Sequence, residues 1–154
     1  MDTQRISLEA VAPLSHRAMT ELDDVLRGES LLDDRLRLLV KIRTAQLNGC
    51  AHSLDHHTRR ALAMNESSER LHQLAGWRGS PLFSAAERAA VELAEAVTRL
   101  PEGGVPDTVY DAAECHLGPH GVATLIMTVA LANAADRMRV AVRSQPVAEV
   151  PAGR

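Results

Sequence analysis

The stretch from Gly121 to Val142 carries apolar residues around most of the circumference a helix would give it. A helix of that kind has to be covered, either at the centre of its own domain or by another subunit. The rest of the chain must therefore offer helical faces to pack against it, and it does. From Pro13 to Arg27, Leu14, Ala18, Met19, Leu22, Val25 and Leu26 recur at helical spacing, and Gly28 stops the run. Asp33 and Asp34 are placed to cap a helix carrying Leu36, Leu39, Val40, Ile42 and Leu47, which Asn48-Gly49 interrupts. Another helix is expected from Cys50 to about Met64, and a shorter one over 68–74. Ser84 and Glu87 form a capping box that opens a helix with Ala86, Ala89, Ala90, Leu93, Ala94 and Val97 on one face. Beyond the 101–106 loop, Asp107 is placed to cap a short helix ending before Gly118-Pro119. No segment shows strand-type alternation, so the fold class is all-α.

A length of 154 residues fits one domain with its own core, expected over residues 1–143, with 144–154 as a mobile tail. With only Trp77, Phe83 and Tyr110 as aromatics, that core has to be built from Ala, Leu, Val and Ile. The net charge of −3 leaves no basic footprint for nucleic acid or an anionic membrane, and neither is an expected partner. No apolar run approaches the ~18 residues a spanning helix needs. MDTQRISLEA has no export-signal pattern, and two cysteines make no disulfide framework, so a reducing, cytoplasmic setting is expected.

The chemistry concentrates between Cys50 and His57, where three of the seven histidines and one of the two cysteines lie within eight positions. If one helix ends at Asn48-Gly49 and another starts at Cys50, amide dipoles favour a thiolate there. Cys50, Ser53 and His57 then share a face, and His57 is placed to exchange a proton with the thiol. The alternative is a buried cysteine acting as a small hydrophobe beside surface histidines. Metal binding by His52, His56 and Asp55 lacks further ligands, so no metal is expected, and no cofactor motif is present.

This segment resembles the alkylhydroperoxidase D-like (carboxymuconolactone decarboxylase) family, whose signature is C-x-x-C-x-x-x-H after an N-G turn. Here that register reads Cys50-Ala51-His52-Ser53-Leu54-Asp55-His56-His57. The resemblance extends to Leu39-Val40-Lys41-Ile42-Arg43 upstream. Downstream it takes in Trp77, Phe83-Ser84, Glu87-Arg88-Ala89, Glu95-Ala96-Val97-Thr98, Val105-Pro106-Asp107, Tyr110, Asn133 and Arg137. It implies a multi-helix domain that assembles through apolar helices into a homo-oligomer, commonly a trimer or hexamer. It also implies thiol-dependent peroxide reduction or, in relatives, decarboxylation of a lactone. In the redox members the second motif cysteine attacks the hydroperoxide, the first resolves it, and a glutamate twelve residues before the first relays protons. Here the second cysteine is Ser53 and the glutamate position is Leu38. Ala135 and Asp136 also stand where an aromatic residue and asparagine are common.

Serine has no thiol oxidation chemistry and Cys50 has no local partner, so the dithiol cycle is expected to be absent unless Cys115 substitutes. Three functions remain open. The first is a repurposed enzyme acting on a small organic substrate by decarboxylation, isomerisation or elimination, with His57 as acid or base, His52 assisting and Ser53 orienting substrate or a proton. The second is a one-cysteine thiol peroxidase using Cys50. The third is a non-catalytic oligomeric module.

Overall fold

Seven α-helices and one 3₁₀ turn account for the ordered backbone of this computed structural model, which describes residues 3–29 and 32–146. No strand occurs among the described residues. Helix α1 is a single turn, Leu8–Val11, capped by Ser7 Oγ accepting from the Ala10 amide at 3.3 Å. Helices α2 (Pro13–Glu29), α3 (Asp34–Asn48) and α4 (Ala51–Ala63) stand where expected, except that α2 runs through Gly28, which was expected to stop it. Asp33 stands at the N-cap of α3 without a side-chain capping bond. Helix α5 (Ser68–Gln73) runs into the 3₁₀ turn Leu74–Gly79, and α6 (Ala85–Arg99) opens with the capping box of Ser84 and Glu87 fully formed. Helix α7 (Asp107–Val142) breaks at Gly118, where φ +68° and ψ 170° suit glycine, and Pro119 restarts it. The two expected helices on either side of Gly118-Pro119 are thus both present, with Pro106 rather than Asp107 at the N-cap.

Helix α3 occupies the centre, packed against α4, α6 and α7. Leu39, Val40 and Ile42 are fully enclosed, and so is most of the charged residue set that α3 carries: Arg37, Lys41 and Arg43 are buried too. The apolar stretch of α7 takes a less central position than its composition suggests. Val122, Leu125, Val129 and Ala132 pack inward, while Ala123, Met127, Ala130, Ala134 and Val140 are exposed. By length and composition α7 does pass for a spanning helix, with mean hydropathy 1.3 over its most apolar window, which corrects the reading of the sequence. Here it packs on α6 and α3 and buries Thr124, Thr128, Asn133 and Asp136 on that inner face. Helix α2 buries only Leu26; Leu14, Leu22 and Val25 of its apolar stripe face outward.

Two polar knots fasten the bundle. Glu95, 2% exposed, accepts from Arg43 Nε at 2.7 Å, Trp77 Nε1 at 2.9 Å and Arg78 at 2.8 Å. Asn48 donates to Asn133 Oδ1 at 2.9 Å and Asp136 Oδ2 at 3.0 Å, tying the end of α3 to α7. The segment before α1 meets the end of α7 as well, since the Arg5 amide donates to Val142 O at 2.9 Å. Past α7, the Ser144 amide closes the helix on Arg139 O at 2.9 Å, and Gln145 reaches the histidine cluster. The remainder of the expected mobile tail, 147–154, lies outside the described residues.

Candidate functional site

Gly49 ends α3 in the left-handed conformation (φ +64°), and Cys50, extended, becomes the N-cap of α4. The thiol therefore stands at a helix N-terminus, as the Asn48-Gly49 break suggested. It is shut in: Cys50 is 3% exposed and Ser53 wholly buried. Cys50 Sγ donates to Ser53 Oγ at 3.2 Å, and the same oxygen accepts from the Arg139 guanidinium at 2.8 Å.

The adjacent cavity, about 500 Å³, lies between α1–α2 on one side and α3, α4 and the end of α7 on the other. His52, His56 and His57 line it together with Lys41, Arg60 and Arg139. Cys50 and Ser53 do not. His57 is the most enclosed of the three histidines, and burial first, then the charges of Lys41, His56 and Arg139, hold its pKa down to about 3 against the opposing pull of Asp23. His57, expected as an acid or base, is therefore neutral across the physiological range. Its Nδ1 is buried without a hydrogen-bond partner, so no acceptor selects a tautomer, and Nε2 is left to meet the cavity. The His56 ring stands edge-on to it at 5.2 Å, its own pKa lowered by burial and by Arg60 and Arg139.

His52 is held differently. Its Nδ1 lies 2.7 Å from the Gln145 carbonyl, which only accepts, so Nδ1 carries a proton and in the neutral ring Nε2 is the acceptor. Lys41 is buried and ion-paired with Asp23 of α2; burial lowers the lysine pKa despite that partner. For Asp23, burial works upward but is outweighed by the hydrogen bond and charge of Lys41, and its pKa falls.

Of the residues singled out in the sequence, His57 and His52 share the cavity, while Cys50 and Ser53 form a covered pair behind its wall. Leu38, at the relay position, belongs to the apolar core. Cys50 and Cys115 are both free thiols, the first buried and the second exposed. Among the described residues no three of His, Cys, Asp and Glu gather as a metal would require. Lys41, Arg60 and Arg139 were missed. The available signal was charge on inward positions: Lys41 inside the apolar run of α3, and Arg139 on the otherwise apolar last helix.

Residues 13–96 match the Carboxymuconolactone decarboxylase family. An uncharacterized protein of Bacillus subtilis (strain 168), YdfG, is 32% identical over 139 residues, spanning 90% of this chain and 94% of that one. Among solved structures, a protein of unknown function from Agrobacterium tumefaciens, suggested to be the antioxidant defence protein AhpD, superposes with a TM-score of 0.91. It is 26% identical, with 96% of this chain and 100% of that chain covered. An apo debrominase structure shares the fold at a TM-score of 0.78 with 17% identity, covering 88% and 73%.

Proposed function

The chain belongs to the carboxymuconolactone decarboxylase family, and from that premise we propose that it is a small-molecule enzyme working by histidine acid–base chemistry in the cavity. The observation that carries this reading is the division of the motif: His57 and His52 line the cavity, whereas Cys50 and Ser53 do not. With its Nδ1 hydrogen given to the Gln145 carbonyl, His52 presents a lone pair suited to removing a proton from substrate. His57, neutral, offers its cavity-side nitrogen as a hydrogen-bond donor or acceptor at a substrate oxygen. Such a pair suits a reaction in which a proton leaves carbon and is returned elsewhere on the molecule or to a departing group, or in which carbon dioxide leaves and the resulting carbanion takes a proton. Isomerisation, elimination and decarboxylation all fall within it.

The dithiol peroxidase cycle has no counterpart here, since Ser53 cannot form a disulfide with Cys50. We also propose that the chain acts as a homo-oligomer, a trimer or hexamer, because the described residues leave the apolar stripe of α2 and the outer face of α7 exposed.

Alkyl hydroperoxide and a dithiol reductant test this directly. The unmodified protein should consume peroxide at the background rate. Ser53→Cys should add little, because the buried Leu38 supplies no proton relay. Robust turnover by the unmodified protein, lost in Cys50→Ser, would overturn the reading in favour of a one-cysteine peroxidase.

A further inference from the structure

The hydrogen bond between Arg139 and Ser53 has no part in the acid–base chemistry proposed above, yet it sets the electrostatics of the cavity. Ser53 Oγ is fully buried and accepts from one terminal nitrogen of Arg139 at 2.8 Å. A guanidinium carries five N–H donors, so the anchored group keeps donors to spare, and Arg139 lines the cavity. Arg60, one helical turn beyond His56 on α4, lines it too. Among the described residues neither arginine has a carboxylate within ion-pairing distance, whereas the other cations of the wall are matched: Lys41 with Asp23, and Arg27 with Asp24. The fields of Arg60 and Arg139 converge on His56, and that of Arg139 also reaches His57. Glu9 of α1 is the remaining carboxylate of the wall, so two guanidinium groups without an ion pair stand against one carboxylate, the balance is positive, and the recess favours an anion. Arg geometry matches a carboxylate through two parallel hydrogen bonds. The volume, about 500 Å³, suits a small organic molecule rather than a polymer.

We propose that Arg139, positioned by Ser53, forms with Arg60 a carboxylate-binding subsite beside His57, so that the substrate is a small organic acid. The inference rests on the cavity being the substrate site. In this chain, the position that carries a redox thiol in the peroxide-reducing members instead fixes the direction of a cation. The subsite also answers a difficulty with His57. The charged and titratable groups acting on that ring are Asp23 on α2, Lys41 on α3, His56 on α4 and Arg139 on α7, and Glu9 on α1 and Arg60 on α4 line the same cavity. Positive charge outweighs negative, and a bound carboxylate reverses part of that imbalance, making the imidazole more basic once substrate is present.

The test is a nuclear magnetic resonance titration of the histidine imidazole and arginine side-chain signals, with succinate as probe, succinamide as its neutral counterpart and inorganic phosphate as a competing anion. Succinate should give saturable shifts with a dissociation constant on the order of 1 mM, the range of a weakly held small ligand. Succinamide should give none. Arg139→Met should weaken succinate binding by about tenfold or more, the share of a charged hydrogen-bonding partner, and Arg60→Met should weaken it less. Ser53→Ala, which keeps every charge, should weaken it several-fold; spectral dispersion equal to that of the parent confirms that each variant is folded. His57→Gln should still bind, which separates this claim from the acid–base reading. No saturable response to succinate, an unchanged affinity in folded Arg139→Met, or tighter binding of phosphate than of succinate would each overturn the subsite.

Discussion

At the scale of single residues, the histidines that look alike in the sequence are unlike in the fold. His57 is neutral down to about pH 3, held there chiefly by burial. Its folded pKa lies below the unfolded value of 6.5, so the unfolded chain binds a proton that the folded chain refuses as pH falls between those two values. The stability present above pH 6.5 is therefore lost progressively on acidification. Glu95 acts in the same direction from 4.5 down to about 2: burial favours its neutral form, but hydrogen bonds from Trp77, Arg78 and Arg43 outweigh that and hold it ionised. Melting temperature should fall as pH is lowered from 6.5 to 4, and His57→Gln should flatten that slope. Parallel curves for the parent and the variant would show that His57 is not protected from protonation.

At the scale of elements, most of the helices were legible because the signals are local. The Ser84–Glu87 capping box, the glycine at position 49 and the Gly118-Pro119 break each act through backbone geometry within a few residues, and each falls where expected. The single-turn α1 and the 3₁₀ turn Leu74–Gly79 are too short to leave a periodic signal. The motif face was half legible. Helical spacing put Cys50, Ser53 and His57 on one side of α4, but which of them meets open space depends on α2, α3 and α7, and a period carries no such information. Glu95 was visible only as one letter of a resembling block, although it joins α6 to α3 and to the 3₁₀ turn. Replacing it by glutamine leaves the buried Arg43 without its counter-charge. We expect Glu95→Gln to destabilise the fold by about 3–5 kcal/mol in chemical denaturation, the usual cost of breaking a buried pair. A loss below 1 kcal/mol on the same scale would mean that Arg43 finds another partner.

At the scale of the whole molecule, the single chain leaves apolar surface that its own elements do not cover. Leu14 is 77% exposed on α2 and Met127 51% on α7, and the stripe of Ala123, Ala130 and Ala134 beside Met127 is small enough for close helix approach. Light scattering at micromolar concentration should report a trimer or hexamer, and a clean monomer would count against the proposed assembly. The same large-scale view separates function from the thiol. Helices α1 to α4 and the end of α7 meet around the histidines, while Cys50 is enclosed behind them. The measurement that bears most directly on this is kcat/KM for His57→Ala and Cys50→Ala on a substrate found by screening lactones, β-keto acids and hydroperoxides. His57→Ala should lower it by roughly 100-fold or more, the usual cost of losing a hydrogen bond to the oxygen on which charge develops, and Cys50→Ala by much less. The opposite order, with Cys50 essential and His57 dispensable, would contradict the account.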